Sequence, residues 1–316
     1  MRMSPVTLSI IIPAYNREHV ITDTLEQSRQ ATAGLNAEWI VADDGSTDRT
    51  VEYSKAWAEK NPGLPVRITS QQNSGAAAAR NNGLQLARGT YLLFLDSDDR
   101  LLGEWLPKAI DALEADPQLD ICFTGYRIVD GSGNLIRTSQ AFTEKQALTG
   151  ILTTWVTHPD AIIYRRELID RIGGFREDMP AMQDHEFTLR AFLEAGKVRR
   201  LRGYGVDVRE EGGDRISASR FARSQPDVIR FLEETVHLLR RYELWQQYRN
   251  AWQARCESYI YQFLRHGRRK EARQVEEVRR KYAGSPKRGI SRMLLVAWLP
   301  GRVGGYLYRK CSGYLK

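Results

Sequence analysis

The sequence predicts an α/β protein: a doubly wound, mostly parallel sheet with helices on both faces, followed by a helical C-terminal extension. Three observations carry that expectation. Short apolar runs alternate with stretches of helical spacing three times in the first ninety residues, and a fourth run follows. Each run ends in polar or flexible residues, which lines chemistry-bearing groups along one sheet edge. The charge then changes sign: residues 1–220 hold 26 Lys and Arg against 31 Asp and Glu, whereas residues 221–316 hold 21 against 8. The 316-residue chain therefore divides into a domain at 1–220, a helical extension at 221–283 and a basic, aromatic tail at 284–316.

The elements follow in order. Leu8–Ile12, ended by Pro13, is the first strand, and Glu18–Gln30 has helical spacing through Val20, Ile21 and Leu25. Glu38–Ala42 is the second strand, ending in Asp43-Asp44-Gly45-Ser46. Ser46 or Thr47 is placed to cap the helix at 48–59, which Asn61-Pro62-Gly63 stops. Val66–Thr69 is a strand and Gly75–Ala87 an alanine-rich helix. Tyr91–Leu95 is a strand buried on both faces by its unbroken apolar run. Leu102–Ala115 reads as helix, and Ile121–Phe123 as a short strand. Tyr126–Val129 and Leu135–Thr138 flank the hairpin signal Gly131-Ser132-Gly133-Asn134. Ala161–Tyr164 is a strand, Arg166–Ile172 and Asp184–Glu194 are helices, and Val198–Val208 is strand-like. Helices at 226–242, 245–265 and 270–282 make the extension.

Four motifs sit at strand ends. Asp96-Ser97-Asp98-Asp99 presents carboxylates suited to Mg²⁺ or Mn²⁺ with substrate phosphates, or else is a solvated acidic turn. Asp43-Asp44 offers acceptors to a base or ribose, or plain turn chemistry. Pro13-Ala14-Tyr15-Asn16 offers an aromatic face. Gly75 opens a helix whose N-terminus suits an anion, with Arg80 about one and a half turns in, or is simply the start of an Ala-rich helix packed closely on the sheet. Asp184 is either a proton acceptor for an attacking hydroxyl or an N-cap. His185 as a metal ligand is the weaker reading.

In this order the pieces resemble a family 2 glycosyltransferase of the GT-A fold. The pattern runs Ile-Ile-Pro-Ala-Tyr-Asn, Asp-Asp-Gly-Ser-Thr-Asp, Asn-Ser-Gly…Ala-Arg-Asn, Asp-Ser-Asp-Asp, and Gly-Gly-Phe before Gln-Asp, over about residues 6–220. The resemblance implies an inverting transferase using a nucleotide-diphosphate sugar and a divalent metal, Mn²⁺ or Mg²⁺. It implies that Pro13, Ala14, Tyr15 and Asn16 lie against the nucleobase and that Asp44, with Asp43 as the alternative, bonds it. Arg80, with Gly75, contacts the nucleotide. Asp96, with Ser97, reaches the ribose side, Asp98 the metal, and Asp184 is the general base. Two departures stand out. Gln183 replaces the first acid of the usual Glu-Asp pair. The Arg-x-His segment of many relatives is here Val208-Arg209-Glu210, leaving Arg215 or Glu210 as substitutes.

The acceptor implied is a glycan or lipid-linked molecule, as in bacterial polysaccharide or lipopolysaccharide assembly. The basic run Arg265, Arg268, Arg269, Lys270, Arg273, Arg279, Arg280 and Lys281, with Trp298 beyond it, suggests attachment to an anionic membrane surface or a solvated appendage. No nucleic-acid motif accompanies it. Three scattered cysteines, Cys122, Cys256 and Cys311, argue against a disulfide framework. The opening residues are too short in apolar length for a secretory signal, and no run is long enough to span a bilayer. The expected place is cytoplasmic or peripheral on the inner membrane face. The competing readings are a non-catalytic nucleotide-sugar binding module and a nucleotidyltransferase; the latter normally carries a glycine-rich basic loop after its first strand.

Overall fold

The computed structural model describes residues 6–139, 143–153, 158–179, 181–210 and 225–284. It divides into two compact units at residues 215 and 216. The first unit is built on one sheet. Strand β1 (Leu8–Ala14) lies between β2 (Ala37–Asp43) and β4 (Tyr91–Phe94), and β3 (Val66–Ser70) forms the edge beyond β2, all parallel. These are the four predicted strands. Every residue of β1, β2 and β4 is buried, as expected for strands covered on both faces, whereas edge strand β3 is mostly half-buried.

Helices cover both faces, and the period of two in β1 shows which goes where. Ile10 and Ile12 pack with α1 (Ile21–Ala31), with Trp57 of α2 (Thr50–Lys60) and with α4 (Trp105–Ala115). Ile11 faces α3 (Ala76–Leu86). The close approach of α3 depends on Gly83: a Cβ there would lie 2.6 Å from Ile11 Cγ2 and 3.4 Å from Ala42 Cβ. Gly83→Ala gains up to about 1 kcal/mol of helix propensity. It also pushes a methyl into a central, fully buried strand, which costs about 1–3 kcal/mol. We expect a net loss of stability, read as a lower urea midpoint. A midpoint at or above wild type would show that the layers separate without cost.

Beyond β4 the sheet changes direction. Strand β8 (Ile162–Arg165) runs antiparallel between β4 and the long β6 (Leu119–Asp130). Parallel to β6 runs β9 (Lys197–Glu210), with the two-residue β5 (Arg100–Leu101) on its outer side and β7 (Leu135–Thr138) hairpinned onto β6. The order is β3-β2-β1-β4-β8-β6-β9-β5. Between β7 and β8 lies the short α5 (Ala147–Thr153), and α6 (Arg166–Ile172) and α7 (Gln183–Glu194) follow β8.

Some boundaries differ from expectation. The two stretches read as separate around Thr124-Gly125 are one strand. Gly125 stays within it because β9 comes so close that a Cβ would meet Gly203 O at 3.1 Å, and the ladder shifts register there. Helix α4 begins at Trp105 rather than Leu102, since Arg100 and Leu101 pair with β9. Neither Ser46 nor Thr47 caps α2. Both are drawn to Asn16, whose N–H donates to Ser46 Oγ (2.9 Å) and whose Oδ1 accepts from Thr47 N–H (2.9 Å); Asp48 accepts the Thr50 N–H instead (3.0 Å).

The second unit contains α8 (Gln225–Arg241), α9 (Trp245–Arg265) and α10 (Arg269–Ala283). Its core centres on fully buried Trp252, whose indole N–H donates to Leu232 O at 2.9 Å. Arg279, read from the sequence as part of a basic surface, is instead fully buried and doubly bonded to Glu276 at 2.6 and 2.9 Å. Arg280 also pairs with Glu276, and Lys281 with Glu233. Arg265, Arg268, Arg269 and Lys270 stay exposed around the α9–α10 turn. No described helix is long and apolar enough to cross a membrane. The tail with Trp298, and Arg215, lie outside the described residues.

Candidate active site

The C-terminal ends of β1, β2 and β4 meet the N-terminal ends of α3 and α7, and α3 ties them together. Asp44, just past β2, accepts the N–H groups of Ser74 and Gly75 and the Gln71 side chain, each at 2.8 Å. A carboxylate just ahead of the first turn of a helix is favoured by the helix dipole. Gly75 reaches this geometry with φ +93°, open to glycine but strained for other residues. Gly45, at φ +78°, lets the β2 turn press on Asn73, where a Cβ would come within 2.9 Å of the backbone nitrogen. Asp44 is thus buried in the frame of the site, with three donors already on it. Asp43 is buried as well and accepts the Ser46 N–H.

Arg80 lies further along α3 and is only 3% exposed. Its Nη2 meets Asp96 Oδ1 at 2.6 Å and its Nη1 meets Asp184 Oδ1 at 3.0 Å. One guanidinium therefore joins the end of β4 to the first turn of α7, residues 88 positions apart. Asp184 does not cap its helix; Met182 holds that position without a side-chain bond. Gln183 is buried, and its Oε1 accepts no hydrogen bond. A glutamate there would bury a charge at an atom that has no donor.

At the mouth of β1, Ala14 and Pro13 are buried, and the Ala14 carbonyl accepts the Asp44 N–H at 2.8 Å. Tyr15 is 45% exposed. Asn16 adopts φ +51° and is fixed by Ser46 and Thr47. The ring of Tyr15 is the apolar face this edge offers. Ser97 is buried, its carbonyl held by Thr24 Oγ1 at 2.8 Å.

Behind the Asp96–Asp99 turn lies a group that motif reading missed. Asp160, fully buried, accepts the Asp96 N–H at 3.1 Å and meets His158 Nδ1 at 3.1 Å. His158 Nδ1 is 3.8 Å from Asp99 Oδ2, and Asp99 Oδ1 accepts the Arg209 N–H at 3.0 Å. The segment where relatives carry Arg-x-His thus reaches the site through its backbone, while the Arg209 side chain pairs with Asp23. A histidine does reach this cluster: His158, four residues before β8. Glu210 ends β9 opposite Asp130.

Charge governs this pocket. Asp96, Asp98, Asp99, Asp160 and Asp184 face Arg17, Arg80 and His158. Burial raises the pKa of Asp99 well above the ordinary range, with Asp160 and Asp96 adding to it. Burial raises Asp98, and so does the Asp96 charge, against the opposing pull of Arg17. Asp96 goes down: burial opposes ionisation, but Arg80 and His158 outweigh it. For His158 burial lowers the pKa, yet Asp160, Asp96 and Asp184 lift it to about 9.

Acids in excess over cations fit a hard divalent ion. Ligand atoms of Asp96, Asp99, His158 and Asp160 lie within 4.8 Å of one another and could also hold an ion. To ligate, His158 must first give up the proton that its acidic neighbours stabilise. Asp98 is about one-third exposed and open to an ion from solvent.

Known proteins give the arrangement a class. The molecule has the GT-A fold. It matches the Pyrobaculum calidifontis mannosyltransferase PcManGT, in complex with GDP-Man and Mn²⁺, with a TM-score of 0.58 at 17% identity, over 98% of this chain and 85% of that one. It matches Staphylococcus aureus TarS residues 1–349, in complex with UDP-GlcNAc, at 0.56 and 20% identity, over 87% and 91%. The chain belongs to glycosyl transferase family 2, whose model matches residues 9–173. EpsJ of Bacillus subtilis, an uncharacterized glycosyltransferase, is 31% identical over 205 residues, 61% of this chain and 58% of EpsJ. The poly(ribitol-phosphate) β-N-acetylglucosaminyltransferase TarS is 29% identical over 216 residues, 66% of this chain and 37% of TarS. The family match stops short of α7, so the case for Asp184 rests on its contact with Arg80.

Proposed function

We propose that the protein is an inverting glycosyltransferase that moves a sugar from a nucleotide-diphosphate donor to a hydroxyl of a cell-surface glycan or lipid-linked acceptor. The observation that carries this reading is Arg80, buried and shared between Asp96 and Asp184. It brings the carboxylates of the β4 turn and of α7 onto one guanidinium, which supports a donor turn and a proton acceptor working together in a single displacement. UDP-GlcNAc, UDP and GDP-Man bound by the structural neighbours support a sugar nucleotide as donor, and Mn²⁺ in one of them supports a metal.

In this reading Tyr15 offers its exposed face to the base, while Asp44 fixes the N-terminus of α3 beneath it. The remaining lone pair of Asp44 is available to a base N–H. Asp96 is oriented by Arg80 and lies on the ribose side. Asp98 holds the divalent cation, which when bound supplies Lewis-acid stabilisation of charge on the departing diphosphate. Asp184 takes the proton of the attacking hydroxyl. Attack opposite the leaving group inverts the anomeric centre. The exposed Arg265, Arg268, Arg269 and Lys270 suit a peripheral position on an anionic membrane face.

The test is nucleotide release from UDP- and GDP-sugars with Mn²⁺ or Mg²⁺ and a glycan or lipid-linked acceptor. Turnover is expected to stop with chelator and to fall by roughly a hundredfold or more in Asp98→Ala. Chelator-insensitive release, or an Asp98→Ala enzyme as fast as wild type, would remove the metal from the scheme. Binding of donor without turnover for any acceptor would favour a binding module.

A further inference from the structure

The two arginines of the pocket are held differently. Arg80 is buried and gripped by two carboxylates at 2.6 and 3.0 Å. Arg17 makes one ion pair in the described site, Nη2 to Asp98 Oδ2 at 3.5 Å, with its side chain 38% exposed. Its backbone is anchored: Arg17 N–H donates to Thr50 Oγ1 at 2.6 Å, and its carbonyl accepts from Val20 and Ile21 at 3.0 and 2.9 Å. The side chain therefore pivots from a fixed point at the start of α1. Its Nε is buried and makes no hydrogen bond, and Nη1 has only a long contact, 3.4 Å, to Asn16 O. A guanidinium carries five donors, so most of this fork is unspent. The charges of Asp96 and Asp160 act on Asp98 as well.

Resting on the assignment of the cation to Asp98, we propose that Arg17 is an exchangeable counter-ion. It competes with the divalent metal for Asp98, and once displaced it turns its free donors to the diphosphate oxygens of the donor. Two cations cannot both sit on one carboxylate oxygen without repulsion, so metal entry drives Arg17 off. A planar fork then matches two phosphate oxygens better than a carboxylate edge met at 3.5 Å. The metal and the sugar nucleotide would thereby bind in order, the first releasing the residue that grips the second. No bond is made or broken in the exchange.

The competition gives Arg17→Met effects of opposite sign on two ligands. Titration with Mn²⁺ alone, followed by electron paramagnetic resonance of the free ion, should show tighter binding than wild type, by roughly three- to fivefold for a partly exposed pair. Titration of UDP or GDP, whichever wild type binds, in saturating Mn²⁺ should show binding weaker by about tenfold or more. Arg17→Lys keeps the charge but not the fork; it should leave Mn²⁺ affinity near wild type and still weaken the nucleotide. Asp98→Ala separates this proposal from the metal assignment beneath it. If Asp98→Ala loses Mn²⁺ while Arg17→Met binds it no tighter than wild type, the exchange is wrong and the metal assignment survives. If Asp98→Ala binds Mn²⁺ as wild type does, or neither binds it, the assignment falls and the exchange with it. Unchanged nucleotide affinity in Arg17→Met overturns the second half of the proposal.

Discussion

Asp184→Asn is expected to leave donor binding within about twofold of wild type and to cut kcat by roughly a thousandfold. The amide is nearly isosteric, and its oxygen still accepts the Arg80 Nη1 hydrogen bond that holds the side chain at 3.0 Å. What disappears is the capacity to accept a proton from the acceptor hydroxyl. The pH profile supplies a second readout. Burial raises the Asp184 pKa; Arg80 pulls it down, and Asp96 pushes it up again. The net direction is upward, so the acid limb of kcat/KM should lie above the value near 4 of a free aspartate, with activity growing as pH rises through it. In Asp184→Asn that limb should vanish. A variant that keeps the limb, or keeps most of kcat, would move the base elsewhere in the pocket.

The parallel half of the sheet and the candidate residues along its edge were legible because a parallel strand shows its chemistry in the residues that follow it. Asp44 follows β2 and Asp96 follows β4, each after an unbroken apolar run. His158 and Asp160 were not legible, and the sheet explains why. Strand β8 is antiparallel to β4, with Tyr91 opposite Arg165 and Leu92 opposite Tyr164. Continuing that register sets Asp96 level with Asp160, so the residues preceding β8 arrive at the same edge as those following β4. A search confined to the ends of apolar runs looks at the wrong side of β8. The signal was present in His158-Pro159-Asp160 before Ile162, but nothing local gives a strand's direction. The burial of Arg279 was hidden too: Glu276 pairs both with buried Arg279 and with Arg280, which is 55% exposed, so a nearby carboxylate does not by itself show which arginine faces the core.

The second large effect concerns stability and chemistry together. Arg80→Met should destabilise the first unit by about 3 kcal/mol, because it leaves Asp96 and Asp184 near one another with their shared cation gone. The lower part of the range for broken buried pairs applies, since the two acids are 31% and 34% exposed and water can screen them. Methionine fills much of the volume and keeps contact with Phe175, whose ring centroid lies 5.3 Å from the guanidinium carbon. The loss is therefore electrostatic rather than a cavity. Removing the largest influence that lowers the Asp184 pKa should also move the acid limb to higher pH, the reverse of what loss of a neighbouring acid would do. The double variant Arg80→Met/Asp184→Asn distinguishes charge from packing. It should recover about 1–2 kcal/mol of the loss in urea unfolding, because one stranded carboxylate has become neutral. Additive losses would mean that Arg80 stabilises the fold by shape alone. The claim that one guanidinium assembles the donor turn and the base would then have to be given up.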